Sequence, residues 1–591
     1  MTSDPSRRGV GAVLAAVAAA GAARADTPTP PPPPHLLYSR DVRQFGADPT
    51  GRADSTAAFQ AASAAGPFVV GEGVYSLTGV VKIEAYCALS ASAQIRGSAT
   101  VTFKGGFSAP IAPVFGTGLT VIFNPAFAPE GHPEWWGAIT DTPGFDCQPA
   151  LSACVAACPV TRLQPADYWI ARTWKLTTNW RAILGVGMNG KGGNPATRIV
   201  TADPGIDVIQ MGPDEQPVHG EDFLQGVLLK DLTAARSVAP SSPPPDPNSG
   251  ACGVRLQYVL QSYIDQIYSA ENINGFYVKA CIATYLNSTH AARTLAATGG
   301  GTGVDRYYGY VFDGTANIGM ANGNASVYVD FFSSYCAHVA NNAFVYTYGG
   351  FTDLFFNRGE CSGHANGMLL NGATKSGRGG GAVDCHIHHV IMDQLSGDGI
   401  LINSGANGTA VNISQCYAQN NSGAGLHVLN SQGAVTVTGC QFLGGRHATG
   451  LLAEGSSGVS SVNNIFYDMS PAMVWKNSSS CESAADTIHN PNTPGSAAGM
   501  VQMISSVRCV WRGKINGAAG ALPTAVALSI DGGGGSPCDY NLIDCSGIDP
   551  ACLGGGAVNK LVVGGGQVTK VGVTAGAPAG YSHNVAAGVM D

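Results

Sequence analysis

The sequence predicts an all-β chain wound as a parallel β-solenoid, and three observations carry that prediction. The first is a recurrence between Val327 and Trp475. The segments VYVDFFSSYCAHVANNAFVY, FTDLFFNRGECSGHANGMLL, CHIHHVIMDQLSGDGILI, VNISQCYAQNNSGAGLHV, VTVTGCQFLGGRHATGLLA and SVNNIFYDMSPAMVW share one plan. Each has an apolar or alternating run, a small polar turn, then Gly or Ala opening a second apolar run. The opening residues Ala343, Gly367, Gly399, Gly425, Gly450 and Ala472 lie 24, 32, 26, 25 and 22 residues apart. The second observation is that these runs are β-branched and aromatic and show no helical period. The third is composition: 80 glycines among 591 residues and only 12% charged residues suit one elongated solenoid better than several compact domains. A single coil cannot bury its inner face, so stacked coils must share one continuous core.

The same composition excludes some functions. A formal charge of −8, with no Lys/Arg cluster, argues against nucleic acid, whose binding needs phosphates to be neutralised. No stretch is long and apolar enough to span a membrane. The N-terminus reads as an export signal: Arg7 and Arg8 precede an Ala/Val run from Val10 to Ala22, and Ala23-Arg24-Ala25 offers a cleavage site. Ser6-Arg7-Arg8 also resembles a twin-arginine signal, so both the Sec and Tat routes stay open. The expected destination is therefore outside the cell or in a periplasm. Thr27 to Pro34 is an extended polyproline spacer.

Sixteen cysteines in an exported chain permit disulfides. Cys147, Cys154 and Cys158 form one group and Cys538, Cys545 and Cys552 another, neither with a His set suited to zinc. Cys336, Cys361, Cys416 and Cys440 recur once per coil, as small core side chains would.

Along the chain, Asp41 to Leu77 reads DVRQFGADPTGRADSTAAFQAASAAGPFVVGEGVYSL. Asp54 or Ser55 can N-cap a helix from Thr56 to Ala65, and such a helix covers strand edges at a solenoid end. Val42, Phe45, Gly46, Ala47, Gly51, Asp54, Ser55, Thr56 and Ala57, then Gly73 and Tyr75, resemble the opening of the pectate lyase superfamily. The resemblance implies a right-handed parallel β-helix with an N-terminal capping helix. A second copy of the motif is similar: PEWWGAITD from Pro133, then a helix around Ala150 to Ala157, then LQPADYWI. Val80 to Phe127 alternates apolar and polar residues, as a small β-sheet or jelly-roll-like insert would.

The expected organisation is a signal peptide at 1–25, a Pro-rich linker at 26–40 and a small N-terminal β head at 41–130. The main β-helix follows at 131–484, and 485–591 holds either the last coils or a small β domain. Polar insertions at 240–250, 287–303 and 373–381 interrupt the coils, and such loops often carry binding groups.

The resemblance implies work on a polysaccharide lying along one strand face. Coils spaced about 4.8 Å apart present side chains in rows, which suits a repeating linear substrate. In the polygalacturonase branch a catalytic Asp and a His stand just before the Gly that starts a groove strand. Asp398 stands so before Gly399, and His364 lies near Gly367 on the neighbouring coil, so both are expected to approach one sugar. The branch's further acids are missing, since Ala424 and Thr449 stand on the adjacent coils. Asp-Gly at 398–399 also serves a plain turn.

Glu360 and Asp393 are the alternative carboxylates, at similar offsets on successive coils. Two carboxylates flanking a glycosidic bond support hydrolysis. A lyase would need a base and a cation for a uronate carboxylate, for which Arg358, Lys375, Arg378, His386, His388 and His389 stand nearby. Arg358, Lys375, Arg378, His388 and Tyr335 are the expected substrate contacts. Arg358 and Glu360 are expected on one strand face as an ion pair, and His386 and His388 on one side with His389 on the other. No metal or other cofactor is expected. The reading is a secreted polysaccharide-degrading enzyme, with hydrolysis ahead of β-elimination, acting as a monomer or homotrimer. A phage-type tail spike and a non-catalytic carbohydrate-binding surface protein are the rival readings.

Overall fold

A computed structural model describes residues 40–127, 130–188, 196–238, 251–294, 306–315, 324–336, 341–372, 383–404, 409–419, 423–444, 449–469, 471–489, 500–516, 528–531, 538, 541–544, 547, 561–564 and 571–573. The expected signal peptide, nearly all of the linker, and Lys375 and Arg378 lie outside the described residues. The chain forms two compact units, Met1–Leu163 with Trp180–Leu184, and Gln164–Asn179 with Gly185–Asp591.

In the first unit helix α1 (Thr56–Ala65) occupies the expected span. Its entry is held by Asp54, whose Oδ1 accepts from Thr56 N at 3.0 Å and whose Oδ2 accepts from Thr78 Oγ1 at 2.8 Å. Those hydrogen bonds hold the Asp54 carboxyl below the usual carboxylate range. Helix α2 (Gln148–Ala157) follows the second motif, as expected. The residues between the two motifs correct the jelly-roll-like expectation. Phe68 pairs with Cys87 and Cys87 with Phe107, Gly73 with Ala93, and Val80 with Thr100 and then Thr120, all in parallel. The head is thus a short parallel solenoid of its own. Inside/outside alternation cannot separate parallel from antiparallel pairing, because side chains alternate in both. The constant step of about 20 residues is what distinguishes them. Its core is aromatic, with Phe103, Phe107, Phe115, Phe123 and Trp135 in mutual contact.

The second unit is the expected right-handed parallel β-helix. One coil shows the plan: Val383–His388 on a first face, Ile391–Asp393 on a second and Ile400–Asn403 on a third. Inward residues stack in register. Met368, Ile400, Leu426, Leu451, Met473, Val501 and Leu528 form one such column, all essentially buried. Cys336, Cys361, Cys416 and Cys440 are buried, as core side chains should be. Parallel pairing continues through Val501–Ile504, Val510–Asn516, Leu528–Asp531 and Leu561–Gly564, so the described strands beyond 485 are further coils.

The corner between the first and second faces is a single residue with positive φ. Asp231, Gln266, Ser288, Phe331, Arg358, His389, Gln415, Gly439, Asn463 and Ala485 occupy it in successive coils. A left-handed residue turns the chain in one step and reverses which side chains point outward.

Candidate functional site

The second face carries a cleft of about 520 Å³. Its floor is built by rows of outward side chains on stacked strands. One row runs Tyr268, His290, Ser333, Glu360 and Ile391, each paired with the next. The parallel row runs Ala292, Tyr335, Ser362 and Asp393. Tyr268, His290, Ser333, Tyr335, Glu360 and Ser362 line the cleft, and Asp393 stands one strand beyond Ser362. Cys361 and Met392, between these positions, point into the core.

This register brings the two sequence-nominated carboxylates together. Glu360 pairs with Ile391 and Asp393 with Ser362, so the two acids sit diagonally on one face of adjacent strands. With strands about 4.8 Å apart and two residues rising about 6.6 Å, their Cα atoms lie about 8 Å apart. Other polar groups lie on the preceding strands of the same face. His290 Nδ1 is 2.6 Å from Ser333 Oγ, and burial holds this imidazole below its ordinary value. Glu271 accepts from Thr294 N at 2.9 Å, and Tyr268 is pushed up by burial and by the Glu271 charge. Tyr335 is half exposed at 46%, which leaves its ring available to a ligand.

The expected Asp398–His364 pair is not assembled, and this corrects the sequence reading. His364 is only 2% exposed: its Nε2 lies 3.0 Å from Ser334 Oγ and its ring stacks on Tyr307 at 5.7 Å. Burial drives its pKa down to about 4, so it stays neutral in the core. Gly363, at a positive φ of 73°, turns the chain directly after strand Phe351–Ser362, and His364 then lies inward, where a residue before a groove strand was expected to point out.

Asp398 instead meets a different His. Its Oδ1 accepts from Ala424 N at 2.7 Å, and its Oδ2 lies 3.3 Å from Nδ1 of His427 on the following coil. His427 Nε2 is 3.9 Å from Glu454, which also pairs with Lys476 at 2.8 Å. Sequence reasoning passed over His427 and Glu454. They follow the opening residues Gly425 and Gly450 by two and four positions, and aligning the coils on those glycines would have shown them sharing a face.

Arg358 is also corrected. It does not share a face with Glu360, because it is itself the left-handed corner residue. Its Nε donates to Asp330 Oδ1 at 2.8 Å and its guanidinium covers the Phe331 ring at 3.6 Å. His388 lies on the first face, its Nδ1 hydrogen-bonded to Ser414 Oγ. His386 shares that face, as expected, and His389 is the exposed corner. None of these lines the cleft.

An outward ladder on the first face is equally instructive. Tyr263, Tyr285, Tyr328, Phe355 and His386 stack ring on ring at 4.6, 4.7, 4.7 and 4.8 Å. Rings that cover one another's faces offer only edges to a ligand, so this ladder stabilises the sheet rather than forming a sugar platform.

Residues 360–506 match the family model described as right handed beta helix region. Among solved structures the chain is similar to tailspike protein 3 of bacteriophage CBA120, at 11% identity and a TM-score of 0.42, covering 73% of this chain and 61% of that one. It is also similar to the Agl-KA catalytic domain, at 9% identity and a TM-score of 0.34, covering 75% and 68% of the two chains. A third similar structure is a family 28 exopolygalacturonase of Yersinia enterocolitica, at 10% identity and a TM-score of 0.26, covering 90% and 77%. The chain thus spans about three-fifths of the tailspike's length. No curated protein matches it in sequence.

Proposed function

We propose, from a chain that carries a right-handed parallel β-helix, that the protein cleaves glycosidic bonds of a polysaccharide lying along the second face. The observation that supports this best is the diagonal placement of Glu360 and Asp393 on adjacent strands beside the cleft. One carboxyl protonates the leaving oxygen while the other activates water. Inversion by this route requires the two carboxyls to stand about 6.5–9.5 Å apart, which admits a water between the basic carboxylate and the sugar, whereas about 5–5.5 Å gives a covalent intermediate and retention. Tyr335, Ser362, His290 and Ser333 supply a ring edge, hydroxyls and an imidazole to orient the sugar. Export through the N-terminal signal would bring the enzyme to such a polymer.

The test is incubation of the purified protein with neutral and uronic polysaccharides. New reducing ends without unsaturated uronate absorbance support hydrolysis. Absorbance near 235 nm, about the band left by proton abstraction beside a uronate, would replace it with β-elimination. No cleavage of any polymer would sink the proposal.

A further inference from the structure

A second cleft, of about 580 Å³, lies wholly within the first unit. Its apolar wall is Trp136 and Phe145, both half-buried. Trp136 is anchored from beneath by Phe115, 5.2 Å away and only 3% exposed, which in turn stacks on Phe107 at 5.7 Å. The indole is therefore fixed before any ligand arrives, and binding pays little for ordering it. The polar rim is Gln94, Arg96, Thr117 and Asp146. Gln94 and Arg96 are two residues apart on strand Ala93–Gly97, so both point outward while Ala93 and Ile95 face the core. Arg96 reaches Gly51 O through Nη2 at 3.3 Å, which steadies the guanidinium at the rim. Asp146 Oδ1 accepts from Gln148 N at 3.1 Å, which orients the carboxylate.

We infer that this cleft is a binding site for a neutral pyranose unit of an oligosaccharide, separate from the proposed cleavage site. An indole fixed at the wall of an open cleft suits the apolar C–H face of a sugar ring, which is flat and weakly hydrated. The rim then provides donors from Arg96 and Gln94 and an acceptor from Asp146 for adjacent hydroxyls, and such charge-assisted bonds fix orientation. One guanidinium and one carboxylate balance, so the rim offers no net positive field for a uronate. The site would hold polymer at the first unit, independently of Glu360 and Asp393. The choice of a sugar ligand leans on the proposed function, but the cleft chemistry stands apart from the cleavage step.

The test uses the full chain carrying Glu360→Gln, so that turnover does not consume the probe. Cellohexaose, maltohexaose, mannohexaose and hexagalacturonate are titrated by calorimetry. Binding of at least one neutral hexasaccharide is expected, weakened about tenfold by Trp136→Ala and also weakened by Arg96→Ala. Arg96 is exposed and its truncation spares the aromatic core, so that variant stays informative if Trp136→Ala fails to fold. Binding confined to hexagalacturonate, no neutral binding, or neutral binding unchanged by Arg96→Ala overturns the inference. Tyr335→Ala abolishing all neutral binding would also overturn it, by moving that binding to the second unit. Failure to cleave any polymer would refute the proposed function and leave this measurement readable.

Discussion

Oδ2 of Asp398 lies 3.3 Å from Nδ1 of His427, one coil further on, while its Oδ1 takes the main-chain N–H of Ala424 at 2.7 Å. A turn carboxylate thus ties two coils together. Ala424 is only 4% exposed, so its N–H has little recourse to water once that acceptor goes. Asp398→Ala should cost about 1–3 kcal/mol, the penalty of a buried donor left unsatisfied, measured by urea unfolding. Asp398→Asn keeps an acceptor and should lose less, with activity retained. Lost activity at unchanged stability would instead place Asp398 in the chemistry.

Glu360 and Asp393 stand outward beside the cleft and contribute little to the core. Glu360→Gln and Asp393→Asn should each lower cleavage by about 10²–10⁴-fold, the usual worth of a positioned acid or base. Melting temperatures should stay within experimental error of the parent. Full activity in either variant would remove that residue from the proposed pair.

His364 makes stability depend on pH. Its folded pKa is about 4 against an ordinary value of 6.5. Between those values the unfolded chain binds more protons, so stability is fully present above pH 6.5 and is lost as pH falls towards 4. The loss amounts to about 3 kcal/mol across that window. Urea midpoints of the parent should fall over this range, and His364→Phe should show a shallower fall. Equal slopes in the two proteins would mean that the imidazole is not buried as described.

The left-handed corner offers a test of the coil geometry. Gly439 has φ near 64°, and a Cβ there would meet nothing closer than Gln415 Cγ at 3.9 Å. Gly439→Ala should therefore cost only the conformational strain of a left-handed residue, about 1 kcal/mol. Ala485 holds the same corner at φ 57° two coils on, and Ala485→Gly should gain a similar amount. A cost above about 3 kcal/mol for Gly439→Ala would point to a steric clash instead.

Much of the architecture was legible because it repeats. A spacing of 22 to 32 residues between Ala343 and Ala472 is a local property of the chain, and stacking follows from it. Helix α1 was legible for the same reason, since its start lies in Asp54, Ser55 and Thr56 themselves. The β character of the head was legible in the alternation from Val80 to Phe127, but its parallel pairing was not, because that shows only in the step of about 20 residues between paired strands. The site was half legible. Glu360 and Asp393 were named as a pair by their offsets from Gly367 and Gly399, and the register set them on one face.

The amino-acid sequence alone determined the solenoid, its capping helix and the carboxylates available to it, because period and caps are read from neighbours along the chain. Only the tertiary structure decided which way each polar side chain points. One left-handed residue at Arg358 exchanges inside for outside, so face assignments carried through the corner by simple alternation fail there. His364 went inward to Ser334, 30 residues away, and to Tyr307, 57 residues away, and His427 met Asp398 across 29 residues, all through contacts between coils. Such contacts come from stacking register, which no local stretch of sequence encodes.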